Sequence, residues 1–161
     1  NLNREELISL GEKIGADVPF FLVDGTAWAF GKGERLETAE NIPAMWLVLV
    51  NPGFEVSTKS VYEGLKMGLT KGGLKFNIPK FFSIQDIAQG LRNDLERVTL
   101  KRHPVLAQIK EHLVRCGAIG ALMSGSGPTV FGIFTGQKEA EKSAAEFKRA
   151  GNWSVFAVQS L

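Results

Sequence analysis

The feature that most constrains the fold is the run Trp46-Leu47-Val48-Leu49-Val50, five consecutive apolar residues ended by Asn51-Pro52-Gly53. Its length and β-branched content suit a strand, and the lack of alternation predicts one covered on both faces. Such a strand lies inside a sheet, so the rest of the chain must supply neighbours. Ile119 to Met123 and Thr129 to Phe134, on either side of Gly125-Ser126-Gly127-Pro128, have the same character, as does Ser154 to Val158. Helical signals fill the intervals. Ser57-Thr58 precede Val61 and Leu65, Ser83 precedes Ile84, Ile87 and Leu91, and Asn93 precedes Leu95 and Val98, each a polar cap ahead of apolar positions at helical spacing. Lys71 to Lys80 reads as loop. Pro104 suits the first turn of a helix with Leu106, Ile109, Leu113 and Cys116 on one face, closed by Gly117, and Glu139 to Ala150 makes another helix. From residue 46 the order is strand, helical insert, strand, strand, helix, strand. That is the split βαβ pattern of a ferredoxin-like domain of the α+β class.

The first forty residues differ. Asn3 and Glu6 form a capping pair for a helix carrying Leu7, Leu10 and Ile14, which Gly15 stops. Phe20 to Val23 and Thr26 to Phe30 read as strand, with Gly31-Lys32-Gly33 turning into Glu34 to Glu37. A helix and a strand pair have no third element to close a core, so this segment is expected to belong to a domain whose remainder lies elsewhere. Pro43, after the polar stretch Thr38 to Asn41, marks the boundary and divides the chain into 1–42 and 43–161. Asn1 is not an initiator methionine and no signal-peptide core follows, so the chain is expected to begin inside something larger or to have been trimmed.

Composition narrows the function classes. No segment approaches the ~18 uninterrupted apolar residues of a membrane span. Nineteen basic and seventeen acidic residues give a net charge of +2 without a basic stripe, so a small-molecule partner is expected rather than nucleic acid. Cys116 is the only cysteine, which excludes an intramolecular disulfide and a multi-thiolate metal site and suits the cytoplasm. At the end of an apolar stripe it is expected to be a buried, inert thiol. His103 and His112 are nine residues apart with no second ligand at helical spacing, so no metal site is expected, and Lys101, Arg102 and Lys110 read as solvated helix charges.

Three segments could carry chemistry. In Gly15-Ala16-Asp17-Val18-Pro19-Phe20-Phe21 a lone acid sits among apolar residues. Asp17 is either a turn-forming cap or a carboxylate that orients a substrate hydroxyl and accepts its proton. In Met123-Ser124-Gly125-Ser126-Gly127-Pro128-Thr129 two glycines leave backbone amides open to an anion, or simply turn one strand into the next. No Gly-Lys-Ser/Thr follows and position 130 is valine, so this is neither a Walker loop nor a dinucleotide fingerprint. The third segment, Asn51-Pro52-Gly53 with Ser57, Thr58 and Tyr62, leaves a strand end and enters a helix, where ligands gather but capping is also served.

In this order the segments resemble the GHMP kinase superfamily, and within it the branch acting on 4-diphosphocytidyl-2-C-methyl-D-erythritol. The resemblance rests on Ile14 to Phe21 (IGADVPFF), Asn51 to Tyr62 (NPGFEVSTKSVY), Asn93-Asp94-Leu95-Glu96 and Ala121 to Phe134 (ALMSGSGPTVFGIF). It implies transfer of the γ-phosphoryl of ATP to the 2-hydroxyl of the methylerythritol portion of a cytidine diphosphate conjugate, in non-mevalonate isoprenoid synthesis. By that resemblance Asp17 is the catalytic aspartate, Tyr62 lies against cytosine, and Thr58 is on the same substrate side. Ser124, Gly125, Ser126 and Gly127 are then the family's third motif. Residues 1–42 become the end of an ATP-binding domain like domain 2 of ribosomal protein S5, and 43–161 the C-terminal GHMP domain. The family's early lysine and its glycine- and serine-rich phosphate loop have no match in this chain. ATP and Mg2+ are therefore expected to need further sequence, and the chain alone is expected to be inactive. Its strand pair, with a bare sheet edge, is expected to favour self-association. Other GHMP acceptors (mevalonate, homoserine, a sugar) and a noncatalytic ferredoxin-like ligand-binding module are the alternatives.

Overall fold

The computed structural model describes residues 2–15, 18–22, 25–30, 35–39, 41–65 and 83–160. Asp17, the Gly31-Lys32-Gly33 turn and the Lys71 to Lys80 loop lie outside that set. The chain forms two compact units, Asn1–Ile42 and Pro43–Ser160, apart from the terminal residue.

The first unit opens with α1, Arg4–Ile14, whose cap is reciprocal: Asn3 Oδ1 accepts from the Glu6 amide, and Glu6 Oε2 accepts from the Asn3 amide. Along α1, Leu7, Leu10 and Ile14 stay exposed. Val18–Leu22 then forms a 3₁₀ turn, not the strand expected over Phe20 to Val23. Pro19 explains the difference, since its fixed φ and missing amide suit a first helical turn and weaken a strand ladder. The turn begins where the Val18 amide bonds the Gly15 carbonyl. Strands β1, Ala27–Phe30, and β2, Arg35–Thr38, pair antiparallel with Trp28 opposite Glu37.

The second unit is built on β3, Trp46–Asn51. After it come α2 (Thr58–Gly64), α3 (Ile84–Gly90), α4 (Glu96–Arg102) and α5 (Pro104–Arg115), then β4 (Gly120–Met123), β5 (Val130–Phe134), α6 (Gln137–Ala150) and β6 (Ser154–Gln159). The strands form one antiparallel sheet in the order β4-β5-β3-β6, the ferredoxin-like arrangement. On one sheet face Val48, Val50, Val130, Phe134 and Met123 are fully buried beneath Leu106, Ile109 and Leu113 of α5 and Ala140, Ala144 and Phe147 of α6. These helical residues recur at three- and four-residue spacing, which is why each helix turns one stripe inward. Fully burying a side chain of this size contributes about 1.5–3 kcal/mol.

The expectation that β3 is covered on both faces needs correction. Leu47 and Leu49 are only half-buried, and on the same face Phe156 and Val158 of the paired β6 are 58% and 37% exposed. Both large helices lie on the other side. At the β4 edge of this open face α3 comes close to Gly120, where an added Cβ would lie 3.0 Å from the Ala88 Cβ, and there Ile133 is buried.

Candidate functional site

The β4–β5 hairpin carries the glycine motif. Gly125 and Gly127 have φ of 53° and 90°, values that a side chain disfavours, and a Cβ on Gly127 would lie 2.8 Å from the Met123 sulfur. The Ser124 amide bonds the Thr129 carbonyl at 2.8 Å and the Gly127 amide bonds the Ser124 carbonyl at 2.9 Å. The turn is therefore closed on itself.

Helix α4 holds this turn from one side. Asn93 Nδ2 donates to the Met123 and Gly125 carbonyls at 2.7 and 2.8 Å, and Thr99, fully buried, donates to the Ser126 carbonyl at 3.2 Å. Glu96 Oε1 accepts from the Met123 amide at 2.8 Å, and both Glu96 oxygens take the Lys110 ammonium at 2.7 and 2.6 Å. With side chains only 14% and 23% exposed, this is a largely desolvated, charge-assisted arrangement. Two expectations change here. Lys110 is not a solvated charge, and Asn93 is not the cap of α4. Leu95 occupies the cap position in a helical conformation, while the Asn93 side chain closes the preceding turn on the Leu95 amide and reaches across to the hairpin.

Helix α2 approaches from the other side. Ser57 caps it by accepting from the Ser60 amide, leaving Thr58 free to meet the hairpin, where its hydroxyl lies 2.8 Å from Ser126 Oγ. Tyr62, four residues on and so on the same helical face, is 60% exposed. Asn51 at the end of β3 links the two sides: its Nδ2 donates to Thr129 Oγ1 and its Oδ1 accepts from the Gly53 amide. Thr58, Ser126 and the two glycines thus converge at one end of the sheet, with Tyr62 one helical turn away. A hydroxyl pair beside open glycine backbone and an exposed aromatic face can bind a polar, ring-bearing ligand. Asp17 lies outside the described residues.

At the other end of β4 the expectations for the cysteine and histidines also change. Cys116 is half-buried rather than fully buried, and burial, followed by the charge of Glu146, pushes its thiol above the ordinary range. His112 Nε2 lies 2.7 Å from Glu146 Oε1, a contact that holds the Glu146 carboxyl below its usual range. Pairing with Glu146 was not readable from the sequence, because 34 residues separate it from His112. Cys116, however, stands at i+4 from His112 and was there to be seen. His103 stacks on Phe54 at 4.8 Å, which agrees with a structural role at the entry to α5.

Comparison with known proteins gives a consistent picture. Residues 78–152 match the family model described as "GHMP kinases C terminal". A protein of Syntrophus aciditrophicus named 4-diphosphocytidyl-2-C-methyl-D-erythritol kinase is 53% identical over all of this chain, which covers 58% of that protein. A protein of the same name from Geotalea daltonii is 49% identical over all of this chain and 57% of its own length. A crystal structure of 4-(cytidine 5'-diphospho)-2C-methyl-D-erythritol kinase superposes with a TM-score of 0.73 at 29% identity, over 96% of this chain and 57% of that one. The chain spans a little under three fifths of the length of these relatives. With the ferredoxin-like sheet and the glycine hairpin, these matches make the chain similar to GHMP kinases, residues 78–152 matching the model of their C-terminal part.

Proposed function

We propose that the protein carrying this chain transfers the γ-phosphoryl of ATP to the 2-hydroxyl of 4-diphosphocytidyl-2-C-methyl-D-erythritol, in the cytoplasm, and that this chain supplies the substrate side. The observation that carries the reading is the 53% identity, which runs through the whole chain, to a protein bearing that name. The geometry supports it: Thr58, Ser126 and Tyr62 offer hydroxyls and a ring on one side of a glycine turn.

In this reading Tyr62 stacks on the cytosine, an interaction commonly contributing about 1–3 kcal/mol per base. The Thr58 hydroxyl and the Ser124–Gly127 backbone position the diphosphate end, the turn's internal bonds using the amides of Ser124 and Gly127 rather than those of Gly125 and Ser126. Asp17 orients the 2-hydroxyl and accepts its proton as the phosphoryl group departs from ATP. Phosphoryl transfer depends mostly on positioning and electrostatic stabilisation, so a chain without the phosphate cradle is inactive alone. The described residues do not suit Mg2+. Near the turn, Glu96 is committed to Lys110 and the Met123 amide, and the single three-ligand cluster among the described residues contains a thiol and an imidazole rather than oxygen ligands. Mg2+ is accordingly assigned to other parts of the enzyme, and no step here is routed through it.

An acceptor panel with the longer protein tests the reading. ADP should form with the cytidine diphosphate conjugate and not with mevalonate, homoserine or a hexose, while the 161-residue chain alone forms none. ADP production with homoserine but not with the conjugate would overturn it.

A further inference from the structure

At the end of β4 remote from the glycine turn, α5 and α6 present three chemically different metal ligands to one another. His112 lies in the last turn of α5 and Cys116 immediately after it, four residues apart and so on one face, while Glu146 projects from α6. One donor atom from each, Nε2 or Nδ1 of the imidazole, the thiol sulfur and a carboxylate oxygen, lies within 4.8 Å of the others. We propose that His112, Cys116 and Glu146 form a binding site for a divalent ion of the zinc class, which joins the C-terminal end of α5 to α6.

The donor set selects the metal. Thiolate and imidazole favour zinc over the hard cations, and three protein ligands plus one water complete a tetrahedral shell. Bonds of about 2.0–2.3 Å in that geometry separate neighbouring donors by roughly 3.3–3.7 Å. The present spacing brackets those values: His112 and Glu146 are closer, at 2.7 Å, and the widest pair is farther by about an ångström. The imidazole is already oriented, because it rests on the buried Phe147 ring with centroids 4.4 Å apart.

A second observation points to the same place. Ser143, one turn before Glu146 on α6, is 1% exposed; its Oγ makes no well-formed hydrogen bond among the described residues and faces the Cys116 thiol, whose ionised form it favours. It lines the cleft that holds the three ligands, where its oxygen can bond the fourth-position water. The cleft has a volume of about 480 Å³, room for the ion and its water. Arg115 and Lys142 also line it and repel a cation, whereas the thiolate and carboxylate together carry the two negative charges that neutralise one. The inference stands apart from the kinase reading, since the cluster lies away from the hairpin and has its own readout.

Titration of the reduced, untagged chain with Co2+, a spectroscopic substitute for Zn2+, decides the matter. One ion per chain should bind with a thiolate-to-cobalt charge-transfer absorption that Zn2+ abolishes. Cys116→Ser should remove the absorption, and Glu146→Gln should weaken binding by at least about tenfold, a loss found even for residues behind the direct ligands. Glu146 is exposed, so the Gln variant keeps its fold, which far-ultraviolet circular dichroism verifies. Absence of the absorption, one ion for every two chains, or unchanged affinity in Glu146→Gln would overturn the proposal.

Discussion

At Cys116 the surroundings pull the thiol both ways, and the upward pull of burial and Glu146 outweighs the downward pull of Ser143 and Arg115. Burial and the neighbouring Glu146 charge both disfavour the thiolate and raise its pKa. A raised folded-state value means the folded chain holds the proton at a pH where the unfolded chain has lost it. The corresponding stability is present below the unfolded thiol's value, ~8.5, and is lost as pH rises through the higher folded one. In metal-free protein, iodoacetamide should therefore alkylate Cys116 more slowly than it alkylates the urea-unfolded chain around pH 8–9. The two rates should converge at higher pH; equal rates throughout would contradict the shift. The residue types of the candidate site were legible as a list. Their partners were not, because Thr58 meets Ser126 across 68 residues and Asn93 meets Gly125 across 32, contacts no local pattern encodes.

Among the elements, α4 is the piece whose role exceeds its size. Seven residues long and without a side-chain cap of its own, it fixes the glycine hairpin through Glu96 and Thr99, helped by Asn93 just before it. Asn93→Ala removes, besides its bond to the Leu95 amide, two bonds to the hairpin at a net ~1 kcal/mol each, so opening of the turn should become roughly ten- to thirtyfold easier. Amide hydrogen exchange at Ser124 and Gly127 should accelerate accordingly while exchange at Val48 and Val50 stays unchanged; uniform acceleration would mean global destabilisation instead. Sequence periodicity located α5, α6 and all four strands of the large sheet to within about two residues, because each combines a regular apolar pattern with a distinct end signal such as Pro104. It failed at Val18–Leu22, where an aromatic run suggested a strand and the proline turned it into a 3₁₀ segment. It also failed to separate the two faces of β3, since Leu47 and Leu49 are as apolar as Val48 and Val50 but lie away from α5 and α6.

For the molecule as a whole, the proposed function gives binding to the second unit, through Tyr62, and proton transfer to the first, through Asp17. The fold class was readable because the strand and helix order from residue 46 admits few topologies. The division of labour was not, since it rests on family likeness. The most direct test is steady-state kinetics of the longer protein with the cytidine diphosphate conjugate, comparing Asp17→Asn and Tyr62→Ala with the unsubstituted enzyme. Asp17→Asn should lower kcat by about 10²–10⁴-fold, the usual range for a positioned acid or base, with KM little changed. Tyr62→Ala should instead raise KM by roughly 5–150-fold, the equivalent of 1–3 kcal/mol of stacking. Full kcat in Asp17→Asn, or an unaltered KM in Tyr62→Ala, would contradict the account.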